Sequence, residues 1–117
     1  MRELVQRLQK AGFMVNTMPQ EKLQWYKELV VDISDIRLEI ETPQTYEVTV
    51  RFEITFVGSD RMKCLETLQE IMQAIEKEKF KSCSVQMISD IRIEAPGEFL
   101  MATLYVDMKE VINFGSQ

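Results

Sequence analysis

From Thr45 to Phe56 the chain alternates without exception. Tyr46, Val48, Val50, Phe52, Ile54 and Phe56 are apolar, and Thr45, Glu47, Thr49, Arg51, Glu53 and Thr55 are polar. Period-two alternation over this length predicts a strand with one face against a core and one in water. It would be about 36 Å long, close to the width of a whole domain, and so is expected to cross the body from edge to edge. Upstream, Val31 and Ile33 keep one phase while Ile36, Leu38 and Ile40 keep the other. The phase switches at Ser34-Asp35, which predicts a bulge or bend there, and Thr42-Pro43-Gln44 then closes a hairpin.

Helical spacing takes over on either side. Leu4, Val5, Leu8 and Ala11 share one face, and Gly12 stands where a glycine cap ends a helix. Phe13-Met14-Val15 reads as a short strand, and Thr17 to Glu21 has the polar cap, early Pro and early Glu of a helix start. Residues 13–26 therefore hold an extra short strand, a short helix, or a loop carrying Trp25 and Tyr26. Past the first hairpin, Ser59 or Asp60 caps a second helix whose inner stripe is Leu65, Leu68, Met72 and Ile75, widened by Cys64 and Ile71. A second hairpin follows. Val85, Met87, Ile91 and Ile93 alternate, Ala95-Pro96-Gly97 turns, and Leu100, Ala102, Leu104, Val106 and Met108 alternate again. The predicted fold is one α+β domain over residues 1–117, in the order α-β-β-α-β-β, with two helices on one face of a mostly antiparallel sheet and an apolar tail over 110–117.

One phrase occurs twice: Ile33-Ser34-Asp35-Ile36-Arg37 and Ile88-Ser89-Asp90-Ile91-Arg92. It reads either as a strand entry arising by chance or old duplication, or as a polar contact in which Asp35, Arg37, Asp90 and Arg92 meet, within a subunit or between copies. In the second copy Ile88 breaks a phase that its neighbours keep, so that copy needs no bulge.

Composition narrows the chemistry. The chain has 117 residues, 45% hydrophobic and 28% charged, with net charge −5 and no histidine. An acidic chain without clustered Lys and Arg is not expected to bind nucleic acid generally. Without histidine there is no Ser-His-Asp or Cys-His arrangement, and two separate Cys make no zinc site of CxxC type. Cys83 lies near Lys79 and Lys81, where a thiolate is conceivable but a passive cysteine is the simpler reading. No Gly-rich phosphate loop, cofactor motif, membrane span or signal peptide is evident. The expectations are therefore no enzyme, no cofactor, no metal, no membrane partner and a reduced, cytosolic setting.

What stands out instead is apolar surface. Phe99 and Met101 fall on the polar phase of the last strand, Trp25 and Tyr26 on an unassigned segment, and Ile112 and Phe114 near the end. Together with open sheet edges they point to a protomer of a homo-oligomer.

The layout resembles the tail terminator, or tail-completion, proteins of long-tailed phages and phage-derived contractile particles. The likeness lies in a short amphipathic helix at 1–11, a variable stretch, and a hairpin ending in Tyr46-Glu47-Val48-Thr49-Val50-Arg51-Phe52-Glu53-Ile54. A helix after Gly58-Ser59-Asp60 and a last strand through Thr103-Leu104-Tyr105-Val106-Asp107-Met108 complete it. The resemblance implies a non-enzymatic ring, usually of six subunits, that caps the tail tube and joins it to head or collar. DNA would pass through its channel; the acidic balance and the absence of a basic patch, not the resemblance, suggest that groups such as Glu47 and Glu53 line it. It would have tube, sheath, collar or head-joining proteins as partners, and would be assembled in the host bacterial cytoplasm before entering the particle. Another head–tail connector, or a small ferredoxin-like ligand-binding or regulatory module, fits the same element order.

Overall fold

The computed structural model describes residues 2–17, 27–95 and 100–113, the side chains of 89–91 and 113 excepted. Two helices and five strands follow in chain order: α1 (Arg2–Lys10), β1 (Met14–Asn16), β2 (Glu28–Thr42), β3 (Thr45–Gly58), α2 (Arg61–Glu76), β4 (Ser84–Glu94) and β5 (Leu100–Asn113). The fold is α+β, with one mixed, mostly antiparallel sheet in the order β1-β2-β3-β5-β4. The short strand expected near residue 13 is β1, which lies parallel to β2 against residues 28–30. The segment around Trp25 and Tyr26 lies outside the described residues.

Helix α1 ends as its glycine predicts. Gly12 has φ +97°, a left-handed value that costs a residue without Cβ little. The amide of Phe13 donates to the carbonyl of Leu8 at 3.1 Å and that of Gly12 to Gln9 at 3.0 Å, the two bonds of a Schellman cap. Leu4 and Leu8 are fully buried, but Ala11 sits past the last turn and is exposed, so the expected stripe is one residue too long. Helix α2 starts on Asp60, whose carboxylate accepts from the amide of Lys63 at 2.9 Å. Its buried stripe is Cys64, Thr67, Leu68, Ile71, Ala74 and Ile75. Leu65 is exposed and Met72 only half-buried, so the helix is turned toward Thr67, whose hydroxyl donates to its own helix at the Lys63 carbonyl. A threonine that hydrogen-bonds back in this way hides its polar atom and can line a core.

The core is one cluster built from α1, α2 and the central rows of the sheet, with Phe52, Ile54, Phe56, Leu104 and Val106 at its floor. Its middle row runs straight across the sheet, because Ile33 pairs with Phe52, Phe52 with Val106, and Val106 with Ile88. The first residue of each Ile-Ser-Asp-Ile-Arg copy thus sits at the same level on β2 and β4, at mirrored positions about the β3–β5 centre. In β2 the register shifts between Ile33 and Asp35, where the phase switch predicts a bulge. In β4 it shifts twice, between Val85 and Met87 and between Ser89 and Arg92, so the second copy is irregular as well. Met87 accordingly stands opposite Asp107 on the helix-free face, while Val85, Ile88 and Ile93 pair with the core-face residues Met108, Val106 and Ala102. The strand β5 continues through Val111 to Asn113, so those residues belong to the sheet and not to a tail.

The molecule measures 54 × 25 × 21 Å. A 16-residue helix is about 24 Å long and covers less than half of that length. The β2–β3 hairpin therefore does not cross a compact body from edge to edge. Its outer half projects beyond the helices as an arm.

Candidate functional site: an uncovered arm and two open edges

The arm has two unlike faces. On the core-side face, Ile36 lies opposite Val50, Leu38 opposite Val48 and Ile40 opposite Tyr46, with Ile112 beside Tyr46 on β5. These continue the apolar rows of the core past the end of α2, where nothing among the described residues covers them. Ile36 and Leu38 are each 59% exposed and Ile40 is 72% exposed. The row of Ile36 and Val50 runs on through Met108 to Val85, which lines a groove of about 590 Å³ with Ile75, Phe80, Cys83 and Ile88. Met108 is buried in that row, so the exposed apolar strip is the arm itself, and contiguous apolar surface of this kind marks a contact site.

The opposite face is a ladder of charges. Arg51 grips Asp107 with two bonds, Nε to Oδ1 at 2.8 Å and Nη2 to Oδ2 at 3.1 Å, which holds the Asp107 carboxyl below its ordinary range. Lys109 Nζ lies 2.7 Å from Glu47 Oε2, lowering the Glu47 pKa and raising that of Lys109. Glu41, hydrogen-bonded to Glu47 and facing its charge, is raised. Asp35 and Arg37, on the same face of β2, pair with each other at 3.4 Å while both stay exposed.

The residues expected to meet do not meet within one subunit. Asp35 and Arg37 are on β2, and Asp90 and Arg92 on β4, with β3 and β5 between them. Three strand spacings of about 4.8 Å separate the two edges. Met101 is half-buried on the helix-free face opposite Val57, and Ile112 half-buried on the arm. Glu47 and Glu53 share the helix-free face, with Glu47 already paired to Lys109. Trp25, Tyr26, Phe99 and Phe114 lie outside the described residues, as does the side chain of Asp90.

Sequence reasoning missed how α1 is tied down. Arg7 reaches over the C-terminal end of α2 and donates to the carbonyls of Ile75 at 3.0 Å, Lys79 at 3.3 Å and Glu78, its guanidinium stacked 3.7 Å from the Phe80 ring centre. A cation there satisfies carbonyls the helix leaves open and complements its dipole. Glu3 does the converse and accepts from the backbone amides of Lys81 and Ser82, each at 2.9 Å, and from the Ser82 hydroxyl. The Ser82 hydroxyl and then those two amides bring the Glu3 pKa down from 4.5 to about 2. A depressed carboxyl stabilises the fold fully above its unfolded pKa, and that contribution is lost as pH falls through the folded value. The stability of the native chain should therefore fall between pH 4.5 and about 2 by a component that Glu3→Gln lacks; identical pH profiles for the two would refute the clamp.

No metal-binding group of three or more Cys, Asp or Glu occurs among the described residues. Cys64 and Cys83 are free thiols, and burial pushes both pKa values up, which disfavours a thiolate at Cys83. Among the described residues no helix is long and apolar enough to cross a membrane. No family model and no curated protein matches the chain. A solved structure from Akkermansia muciniphila is similar, with 23% identity over 98% of this chain and a TM-score of 0.49, and the chain spans half the length of that protein.

Proposed function

We propose that this chain is a non-enzymatic structural subunit that assembles with copies of itself into a ring, in the manner of the tail-terminator proteins its layout resembles. Such a ring would cap a tail tube and join it to a head or collar, with the helix-free face of β3 and its Glu47 and Glu53 toward the channel. The observation that carries the reading is the arm, whose exposed Ile36, Leu38 and Ile40 form an apolar surface on a projecting hairpin. The arm is β2 and β3 backed by the end of β5, and its uncovered apolar face gains when a neighbour removes it from water. The open outer edges of β2 and β4 add a second reason for neighbours, since unpaired strand edges template further pairing. Heterologous contacts between identical subunits close into rings when the rotation between neighbours allows it.

The test is direct. Sedimentation velocity of the purified protein should show a discrete oligomer at micromolar concentration, and negative-stain images should show rings. A species that remains monomeric at every concentration would remove this reading.

A further inference from the structure

The two edge strands carry the same Arg-apolar-Glu pattern. Beyond its bulge, β2 reads Arg37-Leu38-Glu39; beyond its own irregularity, β4 reads Arg92-Ile93-Glu94. All six residues are exposed. In each triple the apolar residue belongs to the core-side face and the charged pair to the helix-free face: Leu38 pairs with Val48 and Arg37 with Thr49, Ile93 with Ala102 and Arg92 with Thr103. Beyond Val30 nothing among the described residues pairs with the outer edge of β2, and nothing pairs with the outer edge of β4.

An Arg-apolar-Glu triple is complementary to itself when the two strands run antiparallel. We infer that β2 of one copy pairs antiparallel with β4 of the next, opposing Arg37 to Glu94, Leu38 to Ile93 and Glu39 to Arg92 across the junction. This rests on the assembly reading above and names its contact.

Direction, face and register all select this pairing. Three successive antiparallel steps, β2 to β3, β3 to β5 and β5 to β4, make β2 and β4 antiparallel in one subunit. Two copies in the same orientation therefore meet antiparallel, with their core-side faces on the same side. A slip by one residue would set Leu38 against a charge and turn the neighbour's apolar face to the wrong side. A slip by two in one direction opposes Arg37 to Arg92, and in the other Glu39 to Glu94. Like charges directly opposite are destabilising in a sheet, so the register is pinned from both sides. The junction also uses both open edges at once, whereas pairing β2 with another β2 leaves β4 open.

The pairing sets a geometry for the ring. Leu38 is level with Glu110 of β5 through Val48, and Ile93 is level with Ala102, eight residues away along the same strand. Each junction steps the next copy by about 26 Å along the strand direction. A ring can absorb that step only with strands steeply inclined to its axis, as closed barrels do.

Variants with one accessible cysteine, Cys64 being buried, test it. Residues directly opposed in an antiparallel pair have Cα atoms about 4.5–5.5 Å apart, within reach of a disulfide. Leu38→Cys and Ile93→Cys, each made with Cys83→Ser, should give a covalent dimer on mild oxidation of their mixture and none from either protein alone. Alongside, Arg37→Glu or Glu94→Arg should each weaken association several-fold in sedimentation velocity, and the double variant should recover it. Dimers from Leu38→Cys alone would overturn the inference in favour of a two-fold β2 contact. Oligomers that form without cross-linking and ignore the charge reversals would overturn it while leaving assembly standing. A monomer at every concentration would overturn both.

Discussion

Phe52→Ala is expected to remove about 3–5 kcal/mol of stability, the range for truncating a well-packed aromatic residue. Phe52 is 2% exposed and stands mid-row between Ile33 and Val106, on the floor of the core that α1 and α2 cover. The two flanking strands, β2 and β5, and the overlying α2 would line the cavity, and a sheet held by ladders on both sides of β3 collapses little to fill it. Domains of this size are stable by about 5–15 kcal/mol, so the variant should lie close to unfolding at 37 °C. Val48→Ala, four residues along the same strand and on the same face, is only half-buried and should cost less than about 1 kcal/mol. Urea titration of the two variants measures the difference. Equal losses would mean that the arm is packed as the core is, and that the division of β3 into covered and uncovered halves is wrong.

That division explains what the alternation in the chain reveals and what it hides. Tyr46, Val48 and Val50 are written in the same code as Phe52, Ile54 and Phe56, because period two reports which way a side chain points. Whether anything lies above the face is decided by the length and placement of α2, which enters from Asp60 and is exhausted at Glu76. The predicted edge-to-edge strand therefore became a half-covered arm. The bulge at Ser34 was legible because a single inserted residue flips every later side chain, and Ile36, Leu38 and Ile40 record the flip. In β4 the same device is invisible. The first register shift turns the strand over and the second turns it back, so Val85 and Ile93 share a parity as if nothing lay between them. The α2 stripe was misread by part of a turn because Leu65 outweighs Thr67 in hydropathy, although only the threonine can hide its hydroxyl on its own helix. Arg7 and Glu3 gave no signal at all. Each acts on backbone groups about 70–80 residues away, and charged residues on the wet side of a short helix look alike whether they meet water or carbonyls.

The candidate contact residues divide by the same logic. Asp35, Arg37 and Arg92 were singled out for their repetition, and the sheet separates them by placing the copies on its two outer strands. Repetition at mirrored edges is more informative than repetition in one cluster, since neither copy can satisfy the other inside one subunit. The sequence suggests Trp25, Tyr26, Phe99, Met101, Ile112 and Phe114 as the apolar contact surface. Its largest exposed part among the described residues is instead Ile36, Leu38 and Ile40, which the sequence presents as ordinary core positions.

Replacing those three together, as Ile36→Thr, Leu38→Thr and Ile40→Thr, is expected to abolish assembly while leaving the subunit folded. Threonine is β-branched, a shape that suits a strand, and removes the apolar surface. In the free subunit each side chain is already more than half in water, so the lost cross-strand contacts cost on the order of 1 kcal/mol in all. In an assembly that buries the face, the remaining exposed portions are worth about 1–2 kcal/mol each at the usual coefficient for apolar area. Their joint loss weakens association by roughly two to four orders of magnitude. The variant should therefore sediment as a monomer at concentrations where the native chain forms oligomers, with a urea midpoint close to the native one. Oligomers of undiminished affinity would show that the arm's apolar face lies outside the contact. A variant that unfolds outright would show that the face is covered within the subunit, against the exposure that motivates the test.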